Sequence, residues 1–328
     1  MSAWKVVVTA RSFAETAVGW EALEGMGASV VRAVPVPGTS SPDLASLLAD
    51  ADAAIVGTER VDAAALAPAS RLKIVVKAGA GVDNIDLEAA KTAGVTIGSV
   101  PGANAGAVAD YAVALMLAAG RRLCEVDRSV RRGEWSRFLG VDLFGATVGV
   151  AGLGNVGRAV CERLRGFSPT LLGTDVVVDE GWARQADVKI TSMDEIVERS
   201  DFISLHLPLT DETRGLIGHD AIARLKPSAV IVNTARGGLI DADALYDALV
   251  EHRIAAAALD VFPSEPLHDD RFRELENVVL SSHNASYSND GIDRTVLGAV
   301  RQVEAMYREE VATGGRDESV PRPGVSGR

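Results

Sequence analysis

Histidine is the side chain best suited to moving a proton near neutral pH, and this sequence contains five. Two of them, His206 and His283, each follow a short run of β-branched and apolar residues that is typical of a strand. Ligands of parallel α/β sheets bind beyond the carboxyl ends of the strands. Both histidines are therefore candidates for general acid–base chemistry, and the local sequence does not choose between them.

Two more charged side chains follow strand-like runs, an arginine that could bind a carboxylate and a glutamate that could orient another side chain. Arg236 comes after the run 230–233 and precedes two glycines, and a guanidinium placed there could bind a carboxylate through two hydrogen bonds. Glu265 lies between two prolines, shortly after Asp260, in a stiff setting suited to orienting a partner side chain. Taken singly, an arginine on the surface and a glutamate in a turn would explain the same residues.

A glycine-rich turn between a strand and a helix predicts a dinucleotide site. The strand-like run 147–151 leads into the sequence GLGNVG, and a helical run follows at 158–164. The first glycine allows a tight turn, the second admits the pyrophosphate close to the backbone, and the third lets the helix pack on the strand. The pyrophosphate then lies at the helix N-terminus, where free N–H groups favour anions. The expected contacts are Gly152, Gly154, Asn155, Val156 and Gly157.

Asp175 indicates which dinucleotide would bind. It ends the next strand-like run, 18 residues beyond Gly157, and its carboxylate can accept hydrogen bonds from the adenosine ribose hydroxyls. A carboxylate at this position repels a 2′-phosphate, and the residues 176–178 are all valine rather than arginine. The sequence therefore predicts NAD as the cofactor in preference to NADP.

These residues belong to a regular alternation of strand-like and helical segments. Strands are predicted at 5–9, 53–56, 74–76, 147–151, 171–174, 202–205, 230–233, 256–259 and 278–281. A strand-then-helix repetition predicts parallel, doubly wound sheets. Asp241 is the predicted N-cap of a helix over 241–250. The longest helical pattern, about 104–132, is interpreted as an element joining two domains, with a core helix of one domain as the alternative.

The composition sets limits on the kind of protein. A length of 328 residues with 47% hydrophobic and 24% charged side chains predicts two folded domains. The net charge of −12 disfavours a nucleic-acid surface, and an anionic substrate would need a local basic pocket. Two cysteines without a CxxC pattern support neither a disulfide scaffold nor a metal site. No signal peptide or membrane-spanning run is recognisable, so a soluble cytoplasmic protein is expected.

Several motifs in order resemble the D-isomer-specific 2-hydroxyacid dehydrogenases. They are NTARGG at 233–238, LDVFPSEP at 259–266 and then His283, while KAGAGVDNID at 77–86 and VPGAN at 100–104 look most like the phosphoglycerate dehydrogenase branch. The resemblance covers about residues 50–290. It implies two doubly wound α/β domains, with a Rossmann NAD-binding domain at 102–290 inserted into a flavodoxin-like substrate domain formed by 1–101 and 291–328. Residues 313–328 are expected to form a disordered tail, and no C-terminal regulatory domain is expected.

The resemblance also implies roles for the candidate residues. His283 would be the acid–base group, Glu265 would hydrogen-bond it, and Arg236 would bind the substrate carboxylate and carbonyl. Asp260 would contact the nicotinamide amide, and His206 would be structural or would line the pocket. The cofactor pocket is expected to include Leu207, Pro208, Thr234, Ala235, Arg236, Asp260 and His283.

The substrate end is less determined. Backbone N–H groups of a glycine-rich turn can bind a carboxylate or phosphate, and Lys77 stands where the phosphoglycerate branch commonly carries arginine. The expected substrate contacts are Lys77, Ala78, Gly79, Ala80 and Arg236. A phosphate- or phosphonate-bearing acid and a smaller acid such as glyoxylate or hydroxypyruvate both remain open. Ser282 replaces the proline usual in the family, and Asn284 replaces an apolar residue.

The predicted activity is therefore NAD-dependent hydride transfer at C2 of a small D-2-hydroxy or 2-keto acid. The alternative from another class is an NAD(H)-sensing, corepressor-like binding protein, because some such proteins resemble these dehydrogenases. A homodimer formed through the Rossmann domain is expected, with no nucleic-acid or membrane partner and no metal.

Overall fold

The computed structural model describes residues 3–35 and 43–312, so the tail predicted at 313–328 lies outside the described residues. The chain forms two compact units. One consists of the described residues up to Ala103 together with those from Ile292 onward, and the other of Asn104–Gly291. Each unit is built around its own parallel sheet.

The first unit contains a parallel sheet that has five strands in the described ranges, in the order β2-β1-β3-β4-β5. Its central strands are short and largely apolar, and β3, with the sequence AAIV, is wholly so, which is typical of strands covered on both faces. The elements are β1 Lys5–Val8, α1 Val18–Gly25, β2 Ser29–Arg32, α2 Leu44–Leu48, β3 Ala53–Val56, α3 Ala63–Leu66, β4 Ile74–Lys77, α4 Leu87–Ala93 and β5 Thr96–Gly98.

The second unit contains a parallel sheet with seven strands among the described residues, in the order β12-β11-β10-β9-β6-β7-β8. Its elements are α5 Ala105–Gly120, α6 Leu123–Arg131, β6 Thr147–Ala151, α7 Asn155–Leu164, β7 Thr170–Thr174, α8 Glu180–Ala186, β8 Val188–Ile190, α9 Met193–Arg199, β9 Phe202–Leu205, α10 His219–Ala223, β10 Val230–Asn233, α11 Ala242–Val250, β11 Ala256–Leu259 and β12 Val278–Leu280. The strand order reverses between β6 and β9, and ligands of such sheets bind at this switch point.

The last helix described, α12 Asn289–Ala312, returns the chain to the first unit. Its apolar side chains Val296, Val300 and Val303 are buried in one cluster with Trp4 and Val6. This packing explains why the first unit is formed from two separate stretches of the sequence.

The predicted α/β fold with two parallel sheets is confirmed, and all nine predicted strands are present. Among the described residues, three further strands, β2, β5 and β8, were not predicted. Each of them lies at the edge of its sheet, where a strand is only partly covered and its sequence lacks a continuous apolar run. The predicted cap is also confirmed, because the Asp241 carboxylate accepts hydrogen bonds from the first N–H groups of α11.

The prediction of one continuous helix over about 104–132 is wrong. Helix α5 ends at Gly120, and α6 begins only at Leu123, after Arg122 adopts a left-handed conformation with φ of 52°. The Gly120 carbonyl accepts a hydrogen bond from the distant Val141 N–H at 2.7 Å. Helix α5 lies within the second unit and packs against α7 and β10, which is the alternative interpretation of this segment.

Among the described residues, none of the helices combines the length and apolar character needed to span a bilayer.

Candidate active site

The glycine-rich turn joins β6 to α7 at the switch point of the second sheet. Gly152 has φ of 96°, and a Cβ there would lie 2.6 Å from the His206 carbonyl oxygen. A Cβ at Gly157 would lie 1.9 Å from the Gly152 carbonyl oxygen. At Gly154, the N-cap of α7, no described atom would lie within 4 Å of a Cβ. Two of these positions thus require glycine for packing, and the third leaves room for a ligand against the backbone.

Asp175 follows β7 and is oriented by the same turn. Its Oδ2 accepts a hydrogen bond from the Leu153 N–H at 2.6 Å, and its Oδ1 accepts one from the Val176 N–H at 2.7 Å. The Oδ1 also accepts a longer hydrogen bond from the Val177 N–H at 3.4 Å, whereas the Oδ2 keeps capacity for a further hydrogen bond, which suits a ribose hydroxyl of a dinucleotide. The neighbouring Val176 and Val177 are almost fully exposed and carry no charge. This surrounding fits NAD better than a 2′-phosphorylated dinucleotide.

Thr234, immediately after β10, carries an unsatisfied buried group. Its hydroxyl oxygen is buried and has no hydrogen-bond partner within the described part of the chain. Such a group destabilises a protein unless a ligand or water completes its hydrogen bonds. The Thr234 hydroxyl, the open backbone at Gly154 and the Asp175 carboxylate therefore fit a bound dinucleotide.

His283 and Glu265 form a directly hydrogen-bonded pair. The His283 Nδ1 lies 2.7 Å from the Glu265 Oε2, and the Glu265 Oε1 accepts a hydrogen bond from the Phe262 N–H at 3.0 Å. Partial burial raises the pKa of Glu265. The hydrogen bonds from His283 and Phe262 and the charge of Arg236 lower it by more than burial raises it, so the pKa lies below its ordinary value. Glu265 is thus ionised at neutral pH, and the Nε2 of His283 is the ring nitrogen available for proton exchange with a ligand.

The loop that carries His283 is held by Asp260, which is fully buried at the end of β11. The Asp260 Oδ1 accepts hydrogen bonds from the Ser281 hydroxyl at 2.6 Å and the Asn284 N–H at 2.7 Å. Its Oδ2 accepts one from the Ala285 N–H at 2.9 Å. His283 itself has φ of 54°, a left-handed conformation that is uncommon outside glycine. The carboxylate therefore stabilises an unusual backbone geometry at His283, a role that sequence reasoning missed for Asp260 and Ser281.

Arg236 lies close enough to the Glu265 carboxylate for its charge to act on that group. The next residue, Gly237, contacts the chain so closely that a Cβ there would lie 2.0 Å from the carbonyl carbon of Phe262. The Arg236 Nη1 donates a hydrogen bond to the Ala235 carbonyl at 2.7 Å, and the guanidinium charge contributes to the lowered pKa of Glu265. The second unit thus brings together Arg236, Glu265 and His283, which the sequence predicted as a set.

His206 differs from His283 in its surroundings. Its Nε2 lies 2.8 Å from the Ser204 hydroxyl, and enclosure by protein atoms lowers the pKa of His206 to about 4. The ring is therefore neutral at neutral pH, and none of the described carboxylates is hydrogen-bonded to it. Of the two candidate histidines, His283 is the one whose ring is hydrogen-bonded to a carboxylate in the described part of the chain.

The substrate residues predicted in the first unit lie at the end of β4. The Lys77 ammonium donates a hydrogen bond to the Gly57 carbonyl, and the Glu59 Oε2 accepts one from the Gly57 N–H at 2.7 Å. A positive and a negative side chain thus bind the same residue. In the predicted anion-binding turn, the N–H groups of Ala78 and Gly79 donate to the Val56 and Lys77 carbonyls at 2.9 Å. Both N–H groups are therefore used in hydrogen bonds within the unit rather than pointing to an anion.

Comparison with known proteins agrees with this geometry. Residues 113–285, more than half of the chain, match the family model described as "D-isomer specific 2-hydroxyacid dehydrogenase, NAD binding domain". The D-3-phosphoglycerate dehydrogenase of Mycobacterium leprae is 41% identical over 283 residues, which cover 84% of this chain and 54% of that protein. The glyoxylate reductase of Korarchaeum cryptofilum is 40% identical over 261 residues, which cover 77% of this chain and 79% of that protein.

A solved D-lactate dehydrogenase from Aquifex aeolicus, complexed with NAD and lactic acid, has 26% sequence identity and a TM-score of 0.81 over 97% of this chain and the whole of that one. The chain spans about half the length of the phosphoglycerate dehydrogenases that it matches. The family model covers the glycine turn, Arg236, Glu265 and His283 in a single stretch. On sequence identity and family match alike, the chain belongs to the D-isomer-specific 2-hydroxyacid dehydrogenase family.

Proposed function

We propose that this protein is an NAD-dependent oxidoreductase that interconverts a small D-2-hydroxy acid and its 2-keto acid. The observation that carries the proposal is the His283–Glu265 pair at 2.7 Å, in the same unit as the glycine turn and the unsatisfied Thr234 hydroxyl. NADH, when bound, would supply the hydride that reduces C2 of the keto acid, and NAD⁺ would accept that hydride in the reverse direction. In this assignment Asn104–Gly291 is the NAD-binding domain, and the first unit is the substrate domain.

The protein's own residues then divide the remaining work. His283 donates a proton from Nε2 to the keto oxygen during reduction and removes it from the hydroxyl during oxidation. Glu265 orients the imidazole through its hydrogen bond with Nδ1. Arg236 binds the substrate carboxylate through its guanidinium, which also orients C2. Asp260 maintains the His283 loop through its hydrogen bonds with Ser281, Asn284 and Ala285.

The substrate class follows from the surroundings of Lys77. A phosphorylated acid would need a clear excess of positive charge, but the Glu59 carboxylate and the Lys77 ammonium both bind Gly57. This arrangement supports a small acid such as glyoxylate or hydroxypyruvate over 3-phosphohydroxypyruvate or a phosphonate. Curated relatives carry both kinds of name, glyoxylate reductase and D-3-phosphoglycerate dehydrogenase.

The test is NADH oxidation measured across a panel of glyoxylate, hydroxypyruvate, 3-phosphohydroxypyruvate and phosphonopyruvate. His283→Ala is expected to lower turnover by about 10³-fold, the effect typical of losing a general acid–base group, with little change in NADH affinity. His219→Ala, which alters a histidine on α10, is the matched control and should leave turnover unchanged. Tight NADH binding without turnover on any acid would overturn the proposal in favour of an NAD(H)-sensing binding protein.

We also propose a homodimer formed through the second unit. Its segment 123–144 exposes large apolar side chains to an unusual degree: Leu123, Val130, Trp135, Leu139 and Phe144. Trp135 and Leu139 are 83% and 94% exposed, and clustered apolar exposure of this kind marks protein–protein interfaces. A second copy of the chain is the proposed partner.

Sedimentation velocity tests this partner. The wild type should sediment as a dimer, and the double variant Trp135→Ser/Leu139→Ser should sediment as a folded monomer. Val250→Ser, which removes an exposed apolar side chain from the end of α11, should leave the dimer intact. A monomeric wild type at micromolar concentration would contradict the proposal.

A further inference from the structure

Leu153, between the first two glycines of the turn, is hydrogen-bonded through both of its backbone groups to side chains outside the turn. Its N–H donates to the Asp175 Oδ2 at 2.6 Å. Its carbonyl accepts a hydrogen bond from the Arg158 Nε at 2.9 Å. Both bonds are charge-assisted, which makes them stronger than ordinary backbone hydrogen bonds. The orientation of this residue is therefore set by two side chains rather than by the turn alone.

Arg158 is itself held on two further sides. Its Nη1 lies 3.2 Å from the Asp179 Oδ2, and its guanidinium carbon lies 4.8 Å from the centre of the Trp182 ring. Asp179 also accepts a hydrogen bond from the Trp182 N–H at 3.0 Å and caps α8. The guanidinium thus connects the start of α8 to the glycine turn, and its position is determined by both.

Because the peptide bond is planar, the hydrogen bond from Arg158 to the Leu153 carbonyl also fixes the direction of the Gly154 N–H. The Leu153 carbonyl and the Gly154 N–H belong to one trans peptide, so they point in opposite directions. Fixing the carbonyl toward Arg158 directs the Gly154 N–H away from Arg158. Gly154 is the N-cap of α7 and is open to a ligand, and the N–H groups at this end of a helix bind phosphates.

We propose that Arg158 is a positioning residue for the dinucleotide: through the Leu153 carbonyl it aligns the N–H groups of the turn with the cofactor pyrophosphate, without binding the cofactor itself. The inference rests on the proposed NAD-binding function and assigns a role to a side chain outside the glycine motif. Loss of Arg158 would let the Leu153–Gly154 peptide rotate, and the cofactor would have to restore its orientation on binding.

The experiment is a titration of NADH and ADP-ribose, followed by cofactor fluorescence or calorimetry, with kcat and KM measured in parallel. Arg158→Met keeps the aliphatic contact with Trp182 but removes the donor, and should weaken the binding of both ligands about tenfold, as expected for one charge-assisted hydrogen bond. The kcat at saturating NADH should stay within twofold of the wild type. Arg163→Met is the matched control, because Arg163 lies on the same helix and donates to the Ala159 carbonyl at 2.9 Å.

Two further variants separate positioning from a simple charge effect. Arg158→Lys retains the charge but lacks the planar fork, so positioning predicts a loss close to that of Arg158→Met, whereas direct attraction to the pyrophosphate predicts rescue. Asp179→Asn retains a good helix cap but loses the ion pair that holds Arg158. Positioning predicts roughly two- to threefold weaker NADH binding, the effect expected from the loss of one exposed ion pair. Attraction alone predicts tighter binding, because a negative charge is removed.

The outcomes distinguish this inference from the function on which it rests. A wild type that binds neither NADH nor ADP-ribose would overturn the proposed NAD-dependent function. A wild type that binds both, combined with unchanged affinity in Arg158→Met or tighter binding in Asp179→Asn, would overturn the positioning role alone.

Discussion

Replacing Asp260 by asparagine tests whether the buried carboxylate controls the geometry of His283. Aspartate offers two acceptor oxygens, and these receive the Ser281 hydroxyl and the N–H groups of Asn284 and Ala285. Asparagine has nearly the same shape but offers one oxygen and one N–H₂ group. Whichever way the asparagine amide is oriented, its N–H₂ group faces at least one of these three donors, and that hydrogen bond is lost.

The size of the effect follows from the bonds that are lost. A hydrogen bond to a charged group contributes about 1.5–3 kcal/mol. The left-handed conformation of His283, with φ of 54°, costs about 1–2 kcal/mol, so losing one such bond is enough to release it. Since each 1.36 kcal/mol corresponds to a tenfold change in rate, turnover of Asp260→Asn should fall about 10- to 100-fold.

The assay is NADH oxidation at saturating NADH and 2-keto acid, with NADH affinity and thermal stability measured on the same preparation. Asp241→Asn is the control, because Asp241 also accepts two backbone N–H groups but caps α11. Asparagine is an equally good cap, so that variant should retain full turnover. If Asp260→Asn keeps turnover within threefold of the wild type, the carboxylate does not control His283 and the reasoning is refuted.

Three further predictions concern pH, cofactor and substrate. The pKa of His206 is lowered to about 4 from 6.5, so the unfolded chain binds more protons than the folded one between these pH values. The contribution of neutral His206 to the free energy of unfolding should therefore be fully present above pH 6.5 and should be lost as the pH falls through 4. Calorimetry of His206→Asn should show a weaker decline over this range, and parallel curves for the two proteins would contradict the assignment. Asp175→Asn keeps an acceptor for the Leu153 N–H but removes the charge, and should raise the ratio of NADPH to NADH affinity by roughly tenfold; an unchanged ratio in fluorescence titrations would exclude charge repulsion as the basis of the NAD preference. Glu59→Gln should raise kcat/KM for 3-phosphohydroxypyruvate relative to glyoxylate by roughly fivefold, and Lys77→Met should lower it; steady-state rates that leave this ratio unchanged would remove both residues from substrate selection.

The sequence was sufficient for most of the fold because buried parallel strands have an unmistakable composition. Strands such as AAIV in β3 and VIVN in β10 are buried on both faces and almost entirely apolar, and the sequence predicts their bounds to the residue. The edge strands β2, β5 and β8 carry a weaker signal, since one side of the strand has no neighbour and their short sequences include polar residues, whereas the edge strand β12 retains the apolar run VVL and was predicted. The break between α5 and α6 was missed because the Gly120 carbonyl is bound by Val141, which is distant in sequence.

The sequence alone determined the parallel architecture, the glycine turn with its spaced aspartate, and the small set of strand-end side chains able to do chemistry. The strand-end pattern left two candidate histidines open and the family resemblance pointed to His283, whereas the different contacts of the two rings are visible only in the tertiary structure. Both environments depend on contacts that are distant in the sequence: enclosure by the fold lowers the pKa of His206, and folding brings the Glu265 carboxylate within hydrogen-bonding distance of the His283 Nδ1. The unusual backbone of His283 depends likewise on the Asp260 carboxylate at the end of β11, a contact that no local pattern in the sequence reveals.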